Sequence, residues 1–178
     1  MKRAKLLWVD LEMTGLDPEQ DKILEIAAIT TDWDLNPLAT FEAIVKVDDQ
    51  IIASRMVGEF WKKNQASYNS LVAQNATGQP LKAVEQNFLA FLDAHFKKNY
   101  TIILAGNSIH QDRKFIDREL PEIAKRLHYR MLDVSAWKVY FEGALNKKFQ
   151  KPEAHRALSD ITGSIAELQY YLTFMNKK

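Results

Sequence analysis

Residues 5–13, KLLWVDLEM, decide the fold. Leu7, Val9, Leu11 and Met13 alternate with Leu6, Trp8, Asp10 and Glu12, and both sets begin apolar. Successive side chains of a strand leave opposite faces, so a strand apolar on both belongs in the middle of a sheet covered on both sides. At its C-terminal end one face turns acidic, because Asp10 and Glu12 lie two apart and point the same way. In open α/β sheets that end of the strands is where ligand crevices form. The two acids can bind one cation between them, or they can be ordinary solvated residues at an exposed strand end.

The strand stops at TGLDP (14–18), a Gly/Asp/Pro turn signal. The next apolar run, KILEIAAITTDWD (22–34), is rich in β-branched residues and predicts a second strand paired as in a hairpin. LATFEAIVKV (38–47) reads as a third, which makes an antiparallel start to the sheet. From Pro80 to Lys98, Leu81, Val84, Phe88, Phe91, Leu92 and His95 recur at three- and four-residue spacing, an amphipathic helix with Pro at its start. TIILAGN (101–107) is a short buried strand, followed by helices near His110–Arg118 and Pro121–Leu127. HYRMLDV (128–134) is one more strand, leading into a helix around Ala136–Glu142. A polar loop over 143–153 precedes a last helix, Arg156–Phe174, striped by Leu158, Ile161, Ile165, Leu168 and Leu172. Three strands and then alternating helices and strands predict an α/β fold, a mixed sheet with helices on its faces.

The 178 residues, 47% apolar and 26% charged, suit one domain with a full core. The chain has no cysteine, which excludes disulfides, thiolate zinc sites and a thiol nucleophile and suits a reducing cytoplasm. The basic start, MKRAKLLWVDLEM, is interrupted by Asp10 and Glu12 before any cleavage site, so a signal peptide is not expected, and no stretch approaches a membrane span. A net charge of +1 offers no broad basic surface for a long nucleic acid and leaves small or locally gripped anions.

A third acid falls near the same sheet edge, and a fourth lies on the last helix. Asp112 comes six residues after Gly106, where a strand gives way to a helix, and alone it reads as a helix-start acid favoured by the dipole. Asp160 lies just inside the last helix, with the small residues Ala157, Gly163 and Ser164 three or four positions away. His155 precedes Asp160 by five residues, about 140° around a regular helix, so the two can meet only if His155 lies before the helix or in its first turn. Each of these residues also has a plain surface reading.

Together they say more. Four converging carboxylates repel by roughly 1 kcal/mol per close pair in water and about 4 kcal/mol at an effective dielectric of 20, so such a cluster needs cations. Hard oxygen ligands select Mg²⁺ or Mn²⁺ over zinc. Two such ions can stabilise both the attacking and the leaving oxygen in phosphodiester cleavage. A neutral His155 could then take the proton of the attacking water.

VDLEMTGLD (9–17), AGNSIHQDRKFIDRELP (105–121), HYRMLDVS (128–135) and AHRALSDI (154–161) resemble the motifs of oligoribonucleases, members of the DEDDh exonuclease superfamily. The likeness runs in order from residue 7 to about residue 172, with all five chemical positions filled. It implies an RNase H-like mixed five-stranded sheet, antiparallel at first and then parallel, flanked by helices in a single exonuclease domain over residues 1–178. It implies two divalent cations, Mg²⁺ or Mn²⁺, held by Asp10, Glu12, Asp112 and Asp160, with His155 as general base. The implied reaction is 3′-to-5′ hydrolysis of very short RNA, chiefly dinucleotides and including linear diguanylate, to 5′-mononucleotides by a homodimer.

For substrate, the resemblance implies that Leu16 wedges between two bases, Trp61 flanks a base, and Ser108, Arg130 and Ser135 grip a 5′-phosphate, with Tyr129 supplied by the partner subunit. Stacking on an aromatic is worth roughly 1–3 kcal/mol and tolerates any base. Capping a terminal phosphate would exclude longer chains. The residues also admit structural readings: Leu16 an incidental turn residue, Trp61 a core aromatic on a short helix, Tyr129 core, Arg130 a surface ion pair, Ser108 and Ser135 helix N-caps. One departure stands out: Ala66 occupies a position where many oligoribonucleases carry His, so that contact is either missing or supplied by Asn64, Gln65 or Tyr68. A proofreading or RNA-trimming exonuclease, a catalytically silent nucleic-acid-binding module and a carboxylate-metal phosphatase are the competing functions.

Overall fold

The computed structural model describes residues 3–150 and 156–175. Five strands, β1 (Leu6–Met13), β2 (Ile23–Thr31), β3 (Pro37–Ile44), β4 (Ile102–Gly106) and β5 (Leu127–Asp133), form one sheet in the order β3-β2-β1-β4-β5. β1–β2 and β2–β3 pair antiparallel, while β1–β4 and β4–β5 pair parallel. This is the mixed, helix-flanked RNase H-like sheet expected, with β1 at its centre.

The two faces of β1 divide the core as its alternation predicts. Leu7, Val9 and Leu11 join Ile26 and Ala28 of β2 and Leu104 of β4 beneath α4 (Leu81–His95) and α5 (His110–Glu119), which contribute Val84, Phe88, Leu92, Phe115 and Ile116. Leu6 and Trp8 join Ala27, Ile29 and Ala105 beneath α7 (Val134–Leu145) and α8 (Ala157–Met175), which contribute Phe141, Ile161, Ile165 and Tyr171. The buried indole of Trp8 donates its N–H to Thr31 Oγ1 at 3.0 Å, so no polar atom is stranded there.

Between β3 and α4 lie three helices of which the sequence signalled only a short one at Trp61: α1 (Asp49–Arg55), α2 (Glu59–Lys63) and α3 (Gln65–Asn75). α1 and α2 are too short to show a periodic stripe, and α3 buries only Leu71 and Asn75. Asn75 holds α3 down by polar contacts, its amide bonding both the N–H and the C=O of Val47 at 2.9 Å, which hydrophobic periodicity does not register. Boundaries shift by a few residues elsewhere. α6 (Pro121–Ala124) is shorter than expected, and Pro80 caps α4 rather than lying within it. α7 starts at Val134 because Asp133 accepts the N–H of Ser135, and it ends where Asn146 turns left-handed (φ 50°). Among the described residues no helix is long and apolar enough to cross a membrane.

Candidate active site

The crevice arises because β4 is shorter than β1. Their pairing ends at Trp8↔Ala105, and Gly106 then lets the chain leave the sheet. A Cβ on Gly106 would lie 2.9 Å from both the Val9 carbonyl oxygen and Ile109 Cδ1, so glycine is needed for this close approach. α5 follows at once, and Asp112 in its first turn reaches back so that Oδ1 accepts the Leu11 N–H at 3.0 Å. A carboxylate thus takes the backbone donor that β4 no longer reaches.

Asp10 and Glu12 project from the acidic end of the α8-facing side of β1, and Asp160 arrives from the first turn of α8. One oxygen from each of the three lies within 4.8 Å of the others, a spacing that suits a cation. Asp112, 6% exposed, stands beside this trio. Burial, reinforced by Glu25 and Asp160 and opposed by Arg156, pushes the Glu12 carboxyl up to about 7. Burial also raises Asp112 to about 7 against the stabilising N–H of Leu11, with Asp133 adding to the rise. Carboxylates held this unfavourably fit hard divalent cations, and these residues present only oxygen donors. His155 lies outside the described residues.

The loop carrying Leu16 is braced internally by Asp21 and pinned from outside by α1 and α5. Asp21, 1% exposed, accepts from the Thr14 hydroxyl (2.9 Å), the Asp17 N–H (2.9 Å) and Arg55 Nε and Nη2 (2.8 and 3.0 Å). Gln111 Nε2 donates to the Leu16 carbonyl at 2.6 Å, tying the loop to α5 beside Asp112. Leu16 itself is 71% exposed, an apolar side chain held in solvent on a fixed loop. Trp61 is only 8% exposed, packed in the core against Phe60 and Tyr68. One side of it borders a hollow lined by Met56, Lys62 and Gln65. Ala66 lies exposed on α3.

Ser108 and Ser135 are brought together with their hydroxyls 3.1 Å apart. Ser108 adopts a left-handed backbone (φ 48°) that turns its N–H toward Asp133 Oδ1 (3.0 Å) and Ser135 Oγ (2.8 Å). Neither serine is an N-cap: Asp133 caps α7, and Ile109 precedes α5 without a side-chain cap. Tyr129 is 74% exposed rather than core, stacked on His128, and the Arg130 guanidinium lies 5.2 Å above its ring.

Several polar residues at the crevice escaped the sequence reading. Asn107 donates to Ser164 Oγ and Glu167 Oε2, both at 3.0 Å, locking the end of β4 to α8. Glu25 is buried on β2 opposite Glu12 and pairs with Arg156. The signal available for Glu25 was a charge inside the otherwise apolar run KILEIAAITT.

A sheet of this topology with a carboxylate crevice at the C-terminal end of β1 is the frame of a metal-dependent nuclease, and residues 7–168 match the model of a family described as exonuclease. The fold agrees: exonuclease I from Methylocaldum szegediense superposes with a TM-score of 0.65 at 16% identity over 97% of this chain, which spans 41% of that larger chain. An E. coli exonuclease I complexed with single-stranded DNA gives 0.65 at 13% identity over 98% of this chain and 41% of its own. The molecule is thus an exonuclease-type phosphodiester hydrolase. Human mitochondrial oligoribonuclease is 38% identical over 179 residues, covering 98% of this chain and 74% of that protein. The oligoribonuclease of Francisella tularensis subsp. tularensis is 40% identical over 168 residues, covering 93% of each. The chain belongs to the oligoribonuclease family.

Proposed function

We propose that this chain is a 3′-to-5′ exoribonuclease acting in the cytoplasm on very short RNA, chiefly dinucleotides and including linear diguanylate, as one exonuclease domain in a homodimer. The observation that carries it is the convergence of Asp10, Glu12 and Asp160 oxygens within 4.8 Å beside Asp112, in a chain of this family. Asp10, Glu12, Asp112 and Asp160 would hold two divalent cations, Mg²⁺ or Mn²⁺, which supply charge stabilisation to the attacking and leaving oxygens. His155 accepts a proton from the attacking water. The water oxygen bonds to phosphorus, the bond from phosphorus to the 3′-oxygen breaks, and that oxygen takes a proton from solvent to leave as a hydroxyl, so the 3′-terminal residue departs as a 5′-mononucleotide.

Substrate length is read at the other end. The paired hydroxyls of Ser108 and Ser135, with Arg130, receive the 5′-phosphate, and Tyr129 of one subunit closes over the partner's site. Exposure of Tyr129 on β5 supports a contact made outside its own subunit. Leu16 separates the two bases, while Trp61 supports a base with the side that borders its hollow. Gripping a terminal phosphate needs local charge alone, which accords with a net charge of +1.

The test is cleavage of a 5′-phosphorylated diribonucleotide and of a long single strand of RNA, each with Mg²⁺ or Mn²⁺. Faster turnover of the diribonucleotide is expected. Faster first-step cleavage of the long strand would indicate a general RNA-trimming exonuclease, and release of inorganic phosphate without diester cleavage would indicate a phosphatase.

A further inference from the structure

Glu25 is 2% exposed and has no part in the chemistry outlined above. It faces Glu12 across the β1–β2 ladder, so both side chains leave the same side of the sheet. Its partners come from two other elements. Gln74 Nε2 of α3 donates to Oε2 at 2.8 Å, and the Arg156 guanidinium spans both oxygens, Nε 3.3 Å from Oε2 and Nη2 3.5 Å from Oε1. The same guanidinium donates to Gln74 Oε1 at 3.1 Å and to Ser70 Oγ at 3.0 Å. Arg156 is the residue just before α8, and its carbonyl accepts the Asp160 N–H at 3.0 Å. In sequence it also follows His155 directly.

We propose that Arg156 is a positioning residue whose guanidinium, seated on Glu25, Gln74 and Ser70, fixes the first turn of α8 so that Asp160 meets Asp10 and Glu12. The inference rests on the metal-site reading above. A planar fork of donors serves three acceptor residues at once, which a lysine ammonium on a flexible stem cannot do. The seat joins β2 and α3 to the start of a helix whose remaining body packs on β1 and β2, so the end that carries Asp160 gains an anchor independent of the apolar core. The same cation offsets the Glu25 charge, which would otherwise face Glu12 across the strands without a counterion. Part of the Arg156 side chain stays in solvent, so water can reach Glu25 once the guanidinium is gone and the variant remains foldable.

Arg156→Met should weaken Mn²⁺ binding to the metal-free protein, read by electron paramagnetic resonance, by about tenfold or more, the loss typical when a group supporting metal ligands is removed. The Asp160 amide should exchange hydrogen faster, and kcat on a diribonucleotide should fall while KM changes little. The double variant Glu25→Gln/Arg156→Met should keep these deficits, because removing the facing charge does not restore the anchor. If Arg156→Met fails to fold, Ser70→Ala/Gln74→Ala, which keeps the Glu25 ion pair, should show a smaller loss in the same three readouts. Wild-type Mn²⁺ binding and Asp160 exchange in the folded variant would overturn the proposal, as would full recovery in the double variant. A wild-type protein that binds no Mn²⁺ would remove the metal-site reading and this inference with it; wild-type binding with an unaltered variant removes this inference alone.

Discussion

Acid should stabilise the metal-free protein. In the folded chain the Glu12 carboxyl is pushed from 4.5 up to about 7, by burial first and then by Glu25 and Asp160. Between those values the folded state keeps a proton that the unfolded chain has released, so stability falls as pH rises through the window and levels off above about 7. At about 1.36 kcal/mol per pH unit, the shift corresponds to on the order of 3 kcal/mol. That is about 6–12 °C in melting temperature for a protein of this length. Asp112, also raised to about 7, acts in the same direction. Divalent cations need the ionised carboxylates, so the stabilisation they give should grow with pH. The assay is a set of thermal melts from pH 5 to 8, in EDTA and in Mn²⁺, for the wild type and Glu12→Gln. In EDTA the two proteins should melt together near pH 5, and the variant should melt higher at pH 8. Parallel curves over the whole range would refute the reasoning that Glu12 is held against its charge.

Other expectations concern the frame around the crevice. Arg55→Ala removes two hydrogen bonds from the buried Asp21, whose carboxyl burial pushes up but whose bonds from Arg55, Asp17 and Thr14 hold below its usual range. The variant should be less stable by urea denaturation at neutral pH, and the deficit should shrink as pH falls from 3.8 through the lowered wild-type value, where that carboxylate finally takes up its proton. Gly106→Ala presses a methyl against the Val9 carbonyl and Ile109, an overpacking that should cost about 1–3 kcal/mol in the same measurement. Unchanged stability there would contradict the close passage of β4 and α5 over β1.

Where a single side chain's surroundings follow from spacing, the sequence was readable. The alternation in KLLWVDLEM placed β1 between two layers and put Asp10 and Glu12 on one face, and both follow from the two-residue period of a strand. The stripe from Leu158 to Leu172 located α8 for the same kind of reason. Helices α1 and α3 were not readable and α2 only as a short helix at Trp61, because α1 and α2 are one or two turns long and α3 is anchored by an amide. Glu25 and Arg156 are 131 residues apart and could not be matched as charges by any local rule. That Trp61 packs in the core while one side borders a hollow was likewise visible only in the packing.

The amino-acid sequence by itself therefore determined the strand order's central member, the acidic turn of its one face and the family to which the chain belongs, because these reside in local periodicity and in ordered motifs. Only the tertiary structure decided that Asp160 comes within 4.8 Å of Asp10 and Glu12, that Asp112 caps β1 where β4 ends, and that Arg156 seats on Glu25. Those contacts join residues about a hundred or more positions apart, and their distances are set by how α5 and α8 pack on the sheet, which depends on the whole core at once.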